Sequence, residues 1–524
     1  MQPDYIFETS WEVCNRVGGI YAVLSTRAAS MQAEHPDKVF FFGPDFGDHS
    51  DIYFKEDKSL LSEWNPSFLF LGESRGEVSI PIRIGRWDVP GQPIAILLQF
   101  DALWSKKDEI YAWAWDKFQV QSHAAYGDYD ESCLFGYAAG MVMESLYHWL
   151  LEKENISINP AVQAPQFCMH ANEWQTAFSI FYLQDHCPQI ATLFTTHATG
   201  IGRSIAGNGK PLYDYFENYN GDQMAYELNM VSKHSVEKQA AHHADCFTTV
   251  SDITARECKQ LLDKPVDIVT PNGFEPTYVP KGKNFDVKRE IARAALHRVA
   301  SEQLGGVVPK NALLVGISGR QEWKNKGIDV FAAALDKLAQ KIYHSDQPEK
   351  EVVAFIMIPY LDRAPVRKGK VSIVFVPYYL DGQDPLFGMK YYDLLLGLDV
   401  TVFPSYYEPW GYTPLESCAF HVPTITTSLA GFGVWAEQQK DQYGVVVVER
   451  NDSNFDQVAD RIADALLRFD RLCGEDKALA RKAAAAIAKK AEWKHFFKYY
   501  HKAYEIALKK KNIRIDELQN PRLL

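Results

Sequence analysis

The sequence predicts an α/β protein of two doubly wound domains, each a parallel sheet with helices on both faces. Its 524 residues are too many for one hydrophobic core. Apolar runs of strand length alternate with helical patterns along almost the whole chain. The series breaks once, at T-P-N-G-F (Thr270 to Phe274), before a charged helical stretch from about Lys281 to Gln303. We therefore expect two domains joined near residue 275.

The predicted strands are buried apolar runs that fall into two sets. The first set is K-V-F-F-F-G, I-A-I-L-L-Q-F, Q-F-C-M-H-A, A-T-L-F-T-T-H, D-C-F-T-T-V-S-D and V-D-I-V-T-P-N-G, starting at Lys38, Ile94, Gln166, Ala191, Asp245 and Val266. The second set starts at Ala312, Val352, Val371, Leu398 and Val422. The expected domains are residues 1–275 and 276–490, and a helical region, 491–524, is expected to pack back on the first domain.

Composition and charge narrow the class of protein. The formal charge of −12 argues against a general affinity for nucleic acid or for an anionic membrane. The eight cysteines form no C-x-x-C pair, so neither a zinc site nor a disulfide framework is expected. No apolar run has transmembrane length, and no signal peptide is apparent. The sequence thus predicts a cytoplasmic protein and leaves its oligomeric state open, a homo-oligomer included.

Ligands of such sheets bind beyond the carboxyl ends of the strands, where this sequence places basic residues. In G-I-S-G-R-Q-E-W-K-N-K-G, Arg320, Lys324 and Lys326 lie between a strand and a helix that begins at Ile328. Cations beside a helix N-terminus are repelled by its dipole, which lowers stability. A phosphate bound there would be attracted both to the cations and to the helix N-terminus. The alternative is a solvated loop in which the cations pair with Glu322.

The segment E-V-C-N-R-V-G-G-I-Y-A-V-L near the N-terminus repeats this arrangement. Arg16 precedes Gly18 and Gly19, and an amphipathic helix is expected to follow. Paired glycines let a backbone approach a ligand closely, although most such pairs are only turns.

Two further strand ends carry polar residues. His197 and Arg203 follow one strand in T-T-H-A-T-G-I-G-R, and M-H-A-N-E-W places His170, Asn172 and Glu173 after another. A single histidine is more often structural than catalytic. The acidic D-Y-D at Asp128 to Asp130 is interpreted as the entrance of a helix rather than as a metal motif.

The stretch P-S-Y-Y-E-P-W-G-Y-T-P-L-E-S contains two glutamates with different explanations. Glu408 precedes a proline and should be extended, with no apparent structural purpose. Thr413 is predicted to cap a helix with Pro414 as its first residue, which puts Glu416 in a capping box. Glu416 can therefore be a helix cap, a ligand contact, or both.

Together these stretches resemble the glycogen synthases, more closely the animal and fungal type than the usual bacterial type. The resemblance rests on F-E-T-S-W-E-V-C-N-R-V-G-G-I-Y-A-V-L, T-T-H-A-T-G-I-G-R, T-P-N-G, S-G-R-Q-E-W-K-N-K-G and the Glu408 stretch, in order within residues 7–433. It implies a GT-B fold, two Rossmann-like domains facing across a cleft. It also implies a retaining glucosyltransferase that elongates an α-1,4-glucan at its non-reducing-end 4-hydroxyl, with UDP-glucose as donor and no metal or other cofactor.

The resemblance also implies roles for individual residues. Glu408 would lie by the transferred glucose and Glu416 would bind the nucleotide ribose. His197 would contact the glucose, and Arg320 and Lys326 would neutralise the leaving diphosphate. The remaining implied donor-site residues are Arg16, Gly18, Gly19, Arg203, Trp410, Gly411, Tyr412 and Thr413, and His170, Asn172 and Glu173 are candidates on the acceptor side. Whether Glu408 is a nucleophile or an electrostatic stabiliser stays open.

Some features depart from the family, and other functions compete with this one. Asn172 stands where the family usually has a second histidine. The family's helical insertion, its arginine-rich sensor helix and its phosphorylated tail are not evident, so we expect a short bacterial form without sugar-phosphate activation. The alternatives are an ADP-glucose-dependent synthase, a retaining transferase with a small sugar acceptor, and a glucan-binding scaffold without catalysis. A dinucleotide oxidoreductase is disfavoured because no G-x-G-x-x-G follows a first strand.

Overall fold

The computed structural model describes residues 1–154, 164–439 and 443–519. The chain divides into two compact units. The first comprises Met1–Ile205, Phe216–Gly273 and Trp493–Leu524, and the second comprises Ala206–Tyr215 and Phe274–Glu492. The chain thus changes unit after Gly273 and after Glu492, where the sequence suggests 275 and 490.

The first unit is built on a mixed sheet rich in parallel pairs. Its strands are β1 (Tyr5–Thr9), β2 (Val39–Pro44), β3 (Phe54–Glu56), β6 (Ile82–Trp87), β7 (Ile94–Leu98), β8 (Phe167–Asn172), β9 (Ala191–Thr196), β10 (Cys246–Thr249) and β11 (Ile268–Val269), and β4 (Phe68–Phe70) with β5 (Gly76–Val78) forms a separate hairpin. Within the described residues the order is β11-β10-β9-β8-β1-β2-β7-β6-β3. The predicted parallel pairing is confirmed from β11 to β7.

The two strands at one edge depart from that prediction. β6 pairs antiparallel with β7, and β3 pairs antiparallel with β6. Only six residues connect β6 to β7, which is too short for the crossover that a parallel pair requires. In the parallel part, Thr9 pairs with Ala171, and Asn172 pairs with Thr195. The carboxyl ends of β1, β8 and β9 therefore lie side by side.

Helices cover both faces of this sheet. They are α1 (Gly19–Glu34), α2 (Asp48–Asp51), α3 (Lys107–Phe118), α4 (Tyr129–Lys153), α5 (Ala177–His186), α6 (Gly200–Gly207), α7 (Gly221–Glu227), α8 (Val231–His243) and α9 (Asp252–Leu261). Short 3-10 helices lie at Asp101–Lys106, Trp174–Thr176 and Phe216–Asn218, and another lies in the second unit at Pro276–Tyr278. The core between the sheet, α4 and α5 is rich in aromatic side chains, among them Phe7, Phe42, Phe135 and Phe178.

The second unit is a smaller doubly wound sheet. Its strands are β12 (Leu313–Ser318), β13 (Val352–Met357), β14 (Val366–Lys368), β15 (Val371–Phe375), β16 (Val400–Val402), β17 (Thr424–Thr427) and β18 (Val445–Val448). Among the residues described, their order is β14-β15-β13-β12-β16-β17-β18, with β14 alone antiparallel. After β12 the chain adds β13, β14 and β15 on one side of β12. It then adds β16, β17 and β18 on the other side. The point where the strand order reverses, between β12 and β16, is where such sheets bind ligands.

The helices of this unit confirm two predicted starting points. They are α10 (Lys283–Leu304), α11 (Ile328–Tyr343), α12 (Tyr391–Leu395), α13 (Tyr412–Ala419), α14 (Gly431–Gln438), α15 (Phe455–Arg471) and α16 (Gly474–Lys490). The charged stretch after Gly273 is α10, and α11 begins at Ile328 as predicted.

The last helix, α17 (Trp493–Gln519), belongs to the first unit and packs on α1 and on β8 to β11. The indole N–H of Trp493 donates to Thr26 Oγ1 at 2.8 Å. As a result α1 is buried at every position from Val23 to Ala28. The prediction of an amphipathic α1 is therefore wrong, because α17 covers the side that the pattern assigns to solvent.

Candidate active site

Two loops meet at the reversal point of the second unit. One follows β12 and carries Arg320, Lys324 and Lys326, and the other follows β16 and carries Glu408. Lys326 Nζ lies 2.5 Å from Glu408 Oε2, with the lysine side chain 21% and the glutamate side chain 15% exposed. Both groups are thus partly desolvated but still reachable from solvent. Their pairing places a carboxylate and a cation at the position where such a sheet binds its ligand.

Glu408 is held by its backbone as the sequence predicts. It forms an isolated parallel bridge with Ala430, and its carbonyl accepts from the N–H of Gly431 at 3.1 Å. The extended conformation expected before Pro409 is therefore confirmed. Ser405 Oγ lies 3.4 Å from the Glu408 carboxylate, at the long limit of a hydrogen bond.

The two loops are locked to each other by backbone contacts. The carbonyl of Asn325 accepts from the N–H groups of Tyr406 at 2.9 Å and Tyr407 at 3.2 Å. Gly327 has φ +71°, and a Cβ there would lie 2.1 Å from the carbonyl oxygen of Pro404. Only glycine fits so close an approach. The distance between Lys326 and Glu408 is thus fixed by the fold rather than by their side chains alone.

The helix after Glu408 begins differently from the prediction. α13 starts at Tyr412 with Gly411 as its N-cap, a residue with no side chain to cap the helix. The predicted cap at Thr413 and its capping box with Glu416 are therefore wrong. Gly411 has φ +107°, which lets the chain turn into the helix two residues earlier. Pro414 is tolerated at the third helical position because the first N–H groups of a helix have no intrahelical partner.

Glu416 instead accepts a hydrogen bond from a tyrosine. Tyr392 donates its O–H to Glu416 Oε1 at 2.7 Å. Burial raises the pKa of Tyr392, and the neighbouring Glu416 carboxylate raises it further. The predicted capping box with Thr413 therefore does not explain Glu416, which is a half-buried carboxylate that accepts from a neutral phenol. Tyr392 has no recognisable signal in the sequence, because it follows an irregular loop.

Arg320 and Lys324 do not converge on Lys326. Arg320 is 66% exposed and pairs with Glu322 at 3.0 Å, which is the alternative expected for a solvated loop. Lys324 Nζ lies 4.0 Å from the ring centroid of Tyr406. Trp410 is buried, and its ring lies beside those of Phe432 and Trp435.

In the first unit, a buried polar cluster lies where β1, β8 and β9 end. His170 Nδ1 lies 2.9 Å from Glu8 Oε1, and Asn172 Nδ2 donates to Glu8 Oε2 at 3.1 Å. His197 Nε2 lies 3.2 Å from Asn172 Oδ1. Arg27 pairs with Glu8 at 2.7 Å, both with almost no exposure. The structure thus brings three sequence candidates together, supported by Glu8 and Arg27, which the sequence does not single out.

Burial sets the protonation of this cluster. Burial alone would raise the pKa of Glu8, but the charge of Arg27 and hydrogen bonds from His170 and Asn172 outweigh it and hold that pKa below its usual value. Burial, together with the charges of His170 and Arg27, lowers the pKa of His197 to about 3. His197 is therefore neutral at physiological pH.

Glu173 supports His197 through the backbone. It has φ +70°, unusual for a non-glycine residue, and its carboxylate accepts from the N–H of His197 at 2.8 Å. Burial raises the pKa of Glu173 to about 7. A second buried carboxyl, Glu237, accepts from Gly200 N at 2.9 Å. Burial, and then the charge of Glu173, raises the pKa of Glu237 to about 8.

The N-terminal glycine pair is contacted by another residue that the sequence does not reveal. Glu12 Oε2 accepts from the N–H groups of Gly18 at 2.7 Å and Tyr21 at 2.9 Å. A protein carboxylate thus lies at the N-terminus of α1, while Gly19 is exposed at its first position. Arg16 is exposed, with its guanidinium 5.7 Å from the ring centroid of Tyr21, and Arg203 is exposed on α6.

Within the part of the chain that the structure describes, no group of three or more His, Cys, Asp or Glu residues is arranged to hold a metal. The D-Y-D motif pairs with lysines: Asp128 with Lys233 at 2.5 Å and Asp130 with Lys107 at 3.0 Å. α4 begins at Tyr129, between the two aspartates. Among residues 1–154, 164–439 and 443–519, no helix is both long and apolar enough to cross a membrane.

Two doubly wound α/β units, with a carboxylate and a lysine at the reversal point of the second sheet, define the class of GT-B glycosyltransferases. A sequence profile described as glycogen synthase matches residues 8–364 and 360–519. The chain therefore belongs to the glycogen synthase family, whose members are glycosyltransferases.

Similar proteins cover nearly the full chain. Glycogen [starch] synthase isoform 2 of Saccharomyces cerevisiae is 25% identical over 97% of this chain and 87% of its own length. The liver glycogen [starch] synthase of Homo sapiens is 24% identical over 96% and 83%. In fold, the chain is similar to the catalytic domain of starch synthase IV from Arabidopsis thaliana bound to ADP and acarbose. The TM-score is 0.60 at 13% identity, over 96% of this chain and 99% of that one.

Proposed function

We propose that this protein is a glycogen synthase that transfers glucose from UDP-glucose to the non-reducing-end 4-hydroxyl of an α-1,4-glucan, with retention of configuration. The observation that carries the proposal is the 2.5 Å contact between Lys326 and Glu408 in the second unit. Family membership supports the reaction class, and the choice of UDP over ADP follows the resemblance to the animal and fungal enzymes.

Transfer of glucose from a nucleotide sugar needs a cation and a carboxylate, the two groups that Lys326 and Glu408 supply. The bond between the anomeric carbon and the diphosphate oxygen breaks, and its electron pair leaves with the diphosphate. The oxygen of the glucan 4-hydroxyl forms the new bond to the anomeric carbon, and its proton passes to the leaving diphosphate. Lys326 is proposed to stabilise the negative charge of the leaving group. Glu408 is proposed to stabilise the positive charge that develops on the sugar carbon.

Further roles are proposed on the resemblance. In the second unit, Glu416 is proposed to bind the ribose, and Arg320 to exchange Glu322 for the diphosphate. In the first unit, His197 is proposed to contact glucose, with Arg16 and Arg203 as additional cations. No step in this scheme needs a metal or another cofactor.

The test is nucleotide release from UDP-glucose or ADP-glucose in the presence of glycogen. We expect release of UDP that depends on glycogen, and labelled glucose recovered in the polymer. Release of ADP instead would identify an ADP-glucose-dependent synthase. Release with glucose 6-phosphate but not with glycogen would identify a transferase for small acceptors. Absence of glucan-dependent release from either donor contradicts the proposal.

A further inference from the structure

Asn172 is a buried amide with a fixed orientation at the carboxyl end of β8. It is 1% exposed, and its Nδ2 donates to Glu8 Oε2 at 3.1 Å and to the carbonyl of Thr9 at 3.3 Å. Both partners are acceptors, so the amide nitrogen must face them. A flipped amide would bring its oxygen against two other oxygens. Oδ1 of Asn172 therefore faces the other way, toward His197.

The orientation of the amide decides the tautomer of His197. Nε2 of that ring lies 3.2 Å from Asn172 Oδ1, an atom that can only accept. The proton of the imidazole must then be on Nε2, which leaves the lone pair on Nδ1. His197 is half-buried, whereas Asn172 is fully buried.

Glu8 is an unusually well-supported anchor for this amide. Its two oxygens also face the guanidinium of Arg27 at 2.7 Å and Nδ1 of His170 at 2.9 Å. Nε2 of His170 in turn lies 2.7 Å from Thr195 Oγ1 on the neighbouring strand. Arg27 and His170 therefore hold the carboxylate in place, so rotation of the Asn172 amide would cost a buried charge-assisted hydrogen bond.

The backbone of His197 is held from a second side. Its N–H donates to the Glu173 carboxylate at 2.8 Å, so the position of Cα is fixed independently of the ring. The ring orientation and the location of its proton are then left to the contact with Asn172.

We propose that Asn172, itself oriented by Glu8, is a positioning residue that holds His197 with its proton on Nε2 and its lone pair on Nδ1. Nδ1 of His197, on the edge away from Asn172, is then a hydrogen-bond acceptor rather than a donor. Such an atom suits a sugar hydroxyl that donates a hydrogen bond to the ring. The kinetic consequence rests on the proposed function, in which His197 contacts the glucose, whereas the tautomer is a property of the free protein.

The tautomer is tested by ¹⁵N NMR of histidine-labelled full-length protein without substrate. His197→Gln identifies the signals by their loss. We expect a protonated-type Nε2 and an unprotonated-type Nδ1 in the wild type, and a mixture of both tautomers in Asn172→Leu. A wild-type proton on Nδ1, or an unchanged tautomer in Asn172→Leu, overturns the proposal even if the enzyme reaction is of another kind.

The kinetic arm compares Asn172→Leu with Asn172→Asp. Asn172→Leu should lower kcat by roughly 100-fold at every pH, because the reacting geometry is no longer held. In Asn172→Asp the new carboxyl faces Glu8, and the like charge raises its pKa. The protonated form of this carboxyl restores both a donor to Glu8 and an acceptor for His197. The kcat of Asn172→Asp should therefore fall as pH rises, a decrease that the pH profile of the wild type should not show.

Charged and titratable groups surround Asn172 on each of the elements that pack against it. They are Glu8 on β1, Glu12 before α1, Arg27 on α1, Cys168 and His170 on β8, Glu173 and His197 in the following loops, Arg203 on α6, and Tyr500 and Tyr504 on α17. The ring of Tyr500 lies 4.5 Å from the Arg27 guanidinium. Gln184→Leu is the matched control, because it removes a half-buried amide elsewhere in this unit, one that donates to Thr192 and to the carbonyl of His243. Wild-type kcat in Asn172→Leu, or identical pH profiles for Asn172→Asp and the wild type, contradicts the proposal.

Discussion

The buried cluster around Glu8 in the first unit and the Lys326–Glu408 pair in the second differ in how far their polar side chains are exposed. In the first unit, Glu8, Arg27 and His170 are all at most 1% exposed and satisfy one another. In the second, Lys326 and Glu408 keep 21% and 15% exposure, and Arg320 keeps 66%. Breaking a buried network costs folding free energy, whereas a solvent-reachable pair contributes little to stability. Loss of Arg27 should therefore lower mainly stability, and loss of the Glu408 charge should lower mainly activity.

The largest effect is expected at Glu408. Glu408→Gln removes the carboxylate that we propose to stabilise the reacting sugar carbon, and it should lower kcat by roughly 1,000-fold, as does the loss of one strong transition-state contact. Its melting temperature should stay close to that of the wild type, because the pair with Lys326 is partly solvated. Activity is measured by nucleotide release and stability by calorimetry. Glu302→Gln, in an exposed pair with Arg298, is the control. Wild-type turnover in Glu408→Gln would remove this residue from the mechanism.

The next largest effect is on stability, in the first unit. Arg27→Met leaves the Glu8 carboxylate buried without its cation, which costs about 3–5 kcal/mol of unfolding free energy. Arg86→Met breaks the exposed pair with Asp37 and should cost about 1 kcal/mol or less. Chemical denaturation of both variants measures the difference. Equal losses would mean that the buried network contributes no more than a surface pair.

A pH dependence follows from Glu173 and Glu237. Burial raises their pKa values from an ordinary 4.5 to about 7 and about 8. The folded protein then binds protons that the unfolded chain has released. The stability that these carboxyls contribute is therefore fully present below pH 4.5 and is lost as pH rises toward 8. The slope is about 1.4 kcal/mol per pH unit for each carboxyl within its window.

Glu237→Gln isolates that effect. It should reduce the fall in melting temperature between pH 5 and pH 8, while the exposed Glu131→Gln leaves it unchanged. A variant with the same pH dependence as the wild type would show that Glu237 is ionised in the folded protein throughout this range.

The smallest effect is expected at Tyr392. Tyr392→Phe removes the 2.7 Å hydrogen bond to Glu416 and leaves the ring in place. One such bond contributes about 1 kcal/mol, so the KM for the nucleotide sugar should rise roughly fivefold with little change in kcat. Tyr343→Phe, at an 84% exposed ring in the same unit, is the control. A fall in kcat alone would place Tyr392 in the chemical step instead.

The sequence predicts the fold well because its signals are local. Strand runs and Gly-bearing turns identify both sheets, and the loops that carry Lys326 and Glu408 follow from strand ends. The antiparallel edge of the first sheet depends on pairing between β6 and β7, which a single run does not encode. The start of α13 depends on the left-handed backbone of Gly411. The sequence does not reveal it, because the T-P-L-E pattern at Thr413 is the stronger signal for a helix start.

The supporting residues are harder to predict because they act over long separations. Glu8, Arg27 and Tyr392 have no motif of their own, and each gains its role from a partner on another element. Asn172 is recognisable as polar at a strand end, but its function depends on where its amide oxygen points. That orientation is set by Glu8, 164 residues away in the sequence.

The position of α17 has a consequence for synthesis on the ribosome. Trp493 contacts Thr26 across 467 residues of sequence, and Tyr500 lies over the Arg27 guanidinium. The first unit therefore cannot complete its interior until α17 has been translated, whereas residues 274–492 of the second unit emerge before that helix. The first unit is thus begun before the second but completed after it. A nascent chain stalled before Trp493 would expose the buried face of α1 to chaperones.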